Sequence, residues 1–79
     1  MKYLTGTIAD VVYNEAAATL ILDVGGQKHH LRATDSKLLA EALTALFGDD
    51  CVGKSAALQC NGDVMTSIEI PGIAPNYSI

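Results

Sequence analysis

The sequence predicts a small, mainly β domain (α+β), in which five strands and one helix follow the order β-β-β-α-β-β. Three observations support this prediction. The chain has 79 residues, 49% hydrophobic and 18% charged, which suits one folded domain with a thin core. Runs of β-branched and aromatic residues alternate with glycine-containing turns. One segment alone carries apolar residues at helical spacing. We therefore treat residues 1–79 as a single β-barrel domain with an apolar C-terminal tail at residues 71–79.

The first strand is predicted over residues 3–13. Leu4, Gly6 and Ile8 alternate on one side of it. The alternation slips just before Asp10, which indicates a β-bulge, and Gly6 indicates a sharp coil or a close approach of another backbone.

The second and third strands are predicted at residues 18–24 and 27–33, joined by a Gly-Gly pair that is typical of a two-residue hairpin turn. Side chains alternate between the two faces of each strand, so His29, Leu31 and Ala33 share one face of the third strand. The opposite face of the hairpin carries the side chains of Thr19, Ile21, Lys28, His30 and Arg32.

One amphipathic helix is predicted at residues 36–47, where six apolar side chains recur at helical spacing. Thr34 or Asp35 is the expected N-terminal cap, and Gly48 occupies the place of a left-handed C-terminal cap.

The fourth strand is predicted within "GKSAALQC" and the fifth at residues 64–70, with an Asn-Gly turn between them. We expect Val64, Ile68 and Ile70 to point inward on the fifth strand. Pro71 and Gly72 then end it.

The segment "GDDCVGKS" satisfies the G-x-x-x-x-G-K-[ST] pattern of a phosphate-binding loop. A phosphate-binding loop leaves a strand and enters a helix, whose free N–H groups point at the phosphates. Here the predicted order is helix, loop and strand, and Asp49 and Asp50 add negative charge. We therefore expect no nucleotide binding at this segment.

The net charge of −4 disfavours a partner held mainly by charge, such as duplex DNA or an anionic membrane. No apolar run approaches the ~20 residues that span a bilayer, and the N-terminus lacks the apolar core of a signal peptide. These features predict a cytoplasmic protein. Cys51 and Cys60 are too few for a disulfide scaffold, so we expect free thiols.

Catalytic and metal-binding chemistry has little support in the sequence. His29 and His30 are neighbours on a strand and point to opposite faces, so they cannot share one metal ion. No spacing places a base beside Cys51, Cys60 or a serine hydroxyl. We expect no catalytic residues, no metal and no cofactor.

The element order resembles the oligonucleotide/oligosaccharide-binding (OB) fold, a five-stranded barrel. The residues that carry the resemblance are "TGTIADVV", the helix after the third strand, and "GKSAALQCNGDVMTSIEI". The chain is also similar in this respect to small bacterial barrel proteins of phages and mobile elements. An SH3-like barrel or an open α+β sheet predicts a similar order. The resemblance implies a ligand face on strands two and three, flanked by loop residues Asn14, Asn61 and Asp63.

We expect a non-enzymatic interaction module that binds a protein or associates with itself. The tail residues Ile73, Tyr77 and Ile79 need a surface to cover, either on their own barrel or on a second subunit. A homodimer through these residues is the favoured version. The alternative function is weak binding of single-stranded nucleic acid on the strand-two and strand-three face, although that face has no aromatic residue on which bases could stack.

Overall fold

A computed structural model describes residues 1–73 and 76–79 in full and residues 74 and 75 by their backbone alone. It contains six strands and one helix over the described backbone. The elements are β1 (Lys2–Tyr13), β2 (Ala18–Val24), β3 (Gln27–Ala33), α1 (Ser36–Phe47), β4 (Ser55–Asn61), β5 (Val64–Ile70) and β6 (Ile73–Ser78).

The first five strands form a closed barrel. The sheet order is β3-β2-β1-β4-β5-β6, and a parallel pairing of Arg32 on β3 with Val64 on β5 closes the ring. The neighbouring pairs along the sheet are antiparallel. This arrangement confirms the predicted OB-like fold class, with its β-β-β-α-β-β order, and excludes the open sheet.

The long strand β1 pairs with two different strands along its length. Its N-terminal half pairs with β4 and its C-terminal half with β2, and the register with β2 shifts between Ile8 and Asp10. The predicted bulge is therefore confirmed. A Cβ atom on Gly6 would collide with the carbonyl oxygen of Asp23, so the bare glycine is what lets β1 and β2 approach here.

The core lies inside the barrel, and α1 covers part of it. Leu39, Ala42 and Leu43 are the buried residues of the helix. The Asp35 carboxylate accepts hydrogen bonds from the backbone N–H groups of Lys37 and Leu38 at 3.0 and 3.1 Å, which identifies it as the N-cap. The other fully buried large side chains come from the strands: Ile8, Leu20, Leu22, Leu31, Leu58, Met65, Ile68 and Cys60.

The predicted inward set of β5 is partly wrong. Met65 is buried, whereas Val64 and Ile70 are only half-buried; Ile68 is buried as expected. For Val64 the cause is a bulge, because Gln59 and Cys60 of β4 pair with Ser67 and Met65 and thus skip one residue of β5; Ile70 is the last residue of β5. An extra residue reverses the side-chain alternation on either side of it.

The C-terminal tail forms a sixth strand that the sequence did not predict. β6 pairs with β5 of its own barrel, and Tyr77 and Ile79 pack against the core, so these two do not need a second subunit for cover. Within a single chain the tail therefore takes the first of the two expected placements, a position on its own barrel, rather than the favoured one. Ile73 remains 55% exposed, and Pro75 falls on the residues whose side chains are not described.

Among the described residues, no helix combines the length and the apolar content that crossing a membrane requires.

Candidate functional site

The candidate site is the outer face of the β2–β3 hairpin, which we call the hairpin face. Seven consecutive residue pairs join the two strands without a register shift. The pairs Thr19–Arg32 and Ile21–His30 place these side chains side by side, because partners in an antiparallel ladder project to the same side of the sheet. Leu20, Leu22 and Leu31 project to the other side and are buried. The five residues that the sequence assigned to this face therefore do lie together on it.

The register of β1 adds a third column to the hairpin face. Val12 pairs with Thr19, and Asp10 pairs with Ile21. Asp10 and Val12 are exposed, the latter by 47%. Sequence reasoning missed both residues, since the bulge in β1 decides which of its side chains face outward. The break in alternation before Asp10 was the only available signal.

Charge on the hairpin face is mixed and ordered. Lys28, His30 and Arg32 are exposed and form a line along β3. The acids lie on the neighbouring strands. Asp23 on β2 is the register partner of Lys28, and Asp10 on β1 pairs with Ile21, which in turn pairs with His30. Asp23 also accepts a hydrogen bond from the backbone N–H of Gly26 at 2.9 Å, which holds the hairpin turn. The face thus presents a line of cationic side chains on β3, with acidic side chains on β2 and β1 beside it.

Two loops border the hairpin face at its Arg32 end. The backbone N–H of Arg32 donates to the carbonyl of Asp63, in the β4–β5 turn, at 2.7 Å. The β1–β2 loop lies at the same end, because the N–H of Ser36 donates to the carbonyl of Ala16 at 3.0 Å, just beyond the end of β3. Asn61 is exposed at the end of β4 and pairs with Val64, which in turn pairs with Arg32. These loops make one continuous border.

Neither tyrosine of β1 lies on the hairpin face. Tyr3 is on the half of β1 that pairs with β4, and its hydroxyl donates to the Glu69 carboxylate at 3.1 Å. Tyr13 pairs with Ala18, which is buried, so its ring projects from the core side of β1 rather than beside Thr19. Desolvation, followed by the nearby Cys51 thiol, raises the pKa of Tyr13. No aromatic stacking platform is therefore formed on this face by the described residues.

The segment "GDDCVGKS" has the helix–loop–strand order expected from the sequence. Gly48, with φ of 77°, ends α1, and β4 begins at Ser55. The loop is tied to β1, since Ile8 N–H donates to the Lys54 carbonyl at 2.9 Å and Gly53 N–H donates to the Ile8 carbonyl at 2.8 Å. With those groups bonded to β1, they do not form a phosphate cradle at a helix N-terminus.

The two cysteines are free, as expected, and differ in exposure. Cys60 is buried in the core and Cys51 is half-buried in the α1–β4 loop. Desolvation is the largest cause that raises the pKa of each thiol, and nearby acids add to it: Asp50 and Asp10 for Cys51, Asp63 for Cys60. A raised pKa leaves less thiolate at neutral pH.

Other described features offer little for ligand chemistry. An open depression of about 420 Å³ runs along the solvent side of α1, and only helix residues line it. Within the part of the chain that is described, no three His, Cys, Asp or Glu side chains lie close enough to hold a metal ion.

Comparison with known proteins adds no functional assignment: no family model, curated protein or solved structure matches the chain.

Proposed function

We propose that the protein is a non-enzymatic binding module and that the hairpin face is its working surface. The single observation that carries the proposal is the unbroken β2–β3 register, which sets Lys28, His30 and Arg32 in one exposed line beside Ile21 and Thr19. Rigid, paired strands hold the backbone of such a line in place, so binding does not have to order that backbone. Loops at one end border the same face, as in ligand-binding barrels of this shape.

A protein segment with acidic and apolar side chains fits this surface best. Val12 and Ile21 provide apolar contact area next to the cationic line of β3. The acids Asp10 and Asp23 on the other side would repel a phosphate backbone that ran across the whole face. A mixed arrangement of charges selects register and orientation in protein–protein contacts.

Binding of single-stranded nucleic acid is the second candidate. The line of Lys28, His30 and Arg32 favours it, since phosphates attract such a stripe. The lack of a described aromatic on the hairpin face weighs against it, because base stacking supplies about 1–3 kcal/mol per base in such binders.

A titration followed by two-dimensional NMR tests both candidates. The probes are a short peptide that alternates glutamate and leucine, and an oligothymidine of similar length. We expect the peptide to shift the amide signals of β2, β3 and the bordering loops, and we expect Arg32→Ala and Lys28→Ala each to weaken it several-fold. Lys54→Ala removes the same charge from the α1–β4 loop, outside the face, and is the matched control.

Three outcomes decide between the candidates. Shifts confined to the hairpin face and reduced by Arg32→Ala but not by Lys54→Ala support the proposal. Tighter binding of the oligothymidine, with an affinity that falls steeply as salt rises, favours the nucleic-acid candidate instead. If neither probe shifts the face at millimolar concentration, the hairpin face is not the working surface.

A further inference from the structure

The sixth strand lies outside the closed barrel. The pairing of Arg32 with Val64 closes the ring of β1 to β5, and β6 has one neighbour in the sheet order over the described backbone, which is β5. The barrel topology is therefore complete without β6. Tyr77 on β6 and Ile79 just after it nevertheless pack against the core. β6 is thus an added element that contributes apolar cover.

The turn that connects β5 to β6 is poorly matched to a two-residue hairpin. Pro71 and Gly72 are its two central residues, and Gly72 has φ of 75°. Proline followed by a residue with positive φ is the pattern of a type II turn. Type II turns splay the strands of a two-residue hairpin, because their twist opposes the right-handed twist of the strands.

The ladder between β5 and β6 changes register beyond this turn. Ile70 pairs with Ile73 and Ile68 pairs with Tyr77, so β5 advances by two residues while β6 advances by four. At the far end of β6, Ser67 pairs with Ser78 in the same register as Ile68 with Tyr77, and the N–H of Ile79 donates to the carbonyl of Thr66 at 3.0 Å. The register at the far end of β6 is therefore not the one that the turn sets.

We propose that two copies of the chain exchange their β6 strands, so that β6 of each copy pairs with β5 of the other. The occupant of the β5 edge in the dimer is the same segment, residues 73–79, of a second copy. It restores every contact that β6 makes within one chain, including those of Tyr77, Ile79 and the Thr66 carbonyl. The mismatched turn is not formed in either copy.

The β5–β6 connection is also suited to the extended conformation that it adopts when β6 pairs with another copy. The proline ring holds φ of Pro71 near about −65°, which fits extended backbone as well as a turn. Ile70, as the residue before a proline, is biased to extended conformations. The tethered strand competes at an effective concentration of roughly millimolar order, so the exchanged fraction rises with protein concentration. Exchange leaves the hairpin face unchanged, which keeps this proposal separate from the proposed function.

A disulfide trap tests strand exchange directly. Ser67 on β5 and Ser78 on β6 are register partners, so Ser67→Cys with Ser78→Cys places two thiols opposite each other. The background carries Cys51→Ser and Cys60→Ala. After oxidation at high protein concentration, we expect covalent dimers on a non-reducing gel, and mostly intrachain disulfides at low concentration. Intrachain disulfides at both concentrations overturn the proposal.

A second measurement needs no introduced cysteine. Pro71→Asn makes the connection Asn-Gly, which forms the type I′ turn that matches strand twist. In sedimentation at equal concentration, we expect the dimer fraction to fall several-fold relative to the parent chain. A parent chain that stays monomeric at millimolar concentration, or a dimer fraction that Pro71→Asn leaves unchanged, contradicts strand exchange.

Discussion

Two hairpins of the chain, β2–β3 and β5–β6, differ in how well their turns match the twist of their strands. In β2–β3, Gly25 and Gly26 have φ of 61° and 88°, both positive as a type I′ turn requires, and the pairing continues without a shift to the ends of the strands. In β5–β6, the turn holds one proline and one positive-φ glycine, and the register breaks beside it. Both turns use glycine, yet only the first matches the twist of its strands.

This difference separates a permanent part of the fold from a detachable one. β2 pairs on both of its edges and buries Leu20 and Leu22 in the core, so it cannot leave without opening the barrel. β6 pairs on one edge over the described backbone, and of its described apolar side chains Tyr77 is half-buried and Ile73 is exposed. A matched turn with full pairing fixes the hairpin face, whereas the mismatched turn before β6 is what the strand-exchange proposal rests on.

The largest difference between the hairpins should appear when their core contacts are truncated. Leu20→Ala removes a fully buried side chain of β2 and should lower the free energy of unfolding by about 2–5 kcal/mol. Ile79→Ala removes a half-buried side chain beyond β6 and should cost only about 1 kcal/mol, because less apolar area is lost. Urea denaturation measures both values. Equal losses would show that the C-terminal strand is as integral to the core as β2.

A matched pair of glycine variants compares the turns themselves. A Cβ atom on Gly26 or on Gly72 meets no other atom within 4 Å, so replacement by alanine acts through φ alone. Positive φ costs a non-glycine residue about 1–2 kcal/mol. Gly26→Ala should therefore lower the thermal midpoint of unfolding and leave the oligomeric state unchanged.

Gly72→Ala should act differently, because the opened connection does not need positive φ. We expect it to raise the dimerisation constant by roughly a hundredfold, because each of the two chains in the dimer is relieved of about 1.4 kcal/mol and every 1.4 kcal/mol is a factor of ten. Sedimentation at matched concentrations measures the change. A Gly72→Ala chain that is less stable and no more dimeric than the parent would show that alanine has the same effect in both turns, and it would contradict the predicted difference.

The smallest expected effect is a loss of stability at alkaline pH. It should come from Cys51 and Cys60, which lie outside the turns of the β2–β3 and β5–β6 hairpins. Folding raises the pKa of Cys51 and Cys60, mainly by desolvation, so the folded chain holds these protons more tightly than the unfolded chain. The stability that they contribute is present below the unfolded thiol pKa and is lost as pH rises beyond about 8.5. Urea midpoints across this range should fall with pH.

The double variant Cys51→Ser, Cys60→Ala is the control for this effect, since it removes both thiols. Its midpoint should fall less steeply over the same pH range. Parallel profiles for the two proteins would assign the alkaline loss to other groups, such as Tyr13, whose pKa is also raised by desolvation.

Much of the fold could be predicted because its signals are local. Helix α1 begins and ends where the cap residues Asp35 and Gly48 predict, and the bulge in β1 follows from a visible slip in alternation. The hairpin face was predictable for the same reason: a Gly-Gly turn sets the β2–β3 register, and the register sets which side chains lie together. The line of cations on β3 can be predicted from the alternation of side chains along that strand alone.

Other features depend on pairing between distant segments and could not be predicted. Asp10 and Val12 join the hairpin face only through the register that the β1 bulge produces. Val64 is only half-buried because β4 skips a residue of β5, and nothing in the local sequence of β5 marks that position. The sixth strand was missed because Pro71 is a reliable stop signal for a strand but carries no information about whether the chain returns.

Local signals are enough to predict the order of the first six elements, the ends of the helix and the β2 and β3 residues of the hairpin face. These follow from propensities, caps and turns that act over a few residues. The pairing of distant segments is what brings β3 to β5 to close the barrel, adds β1 to the face, and pairs the C-terminal tail with β5. Such choices depend on which strand edges remain unpaired and which apolar side chains remain uncovered after the barrel has formed, and those quantities exist only in the folded chain.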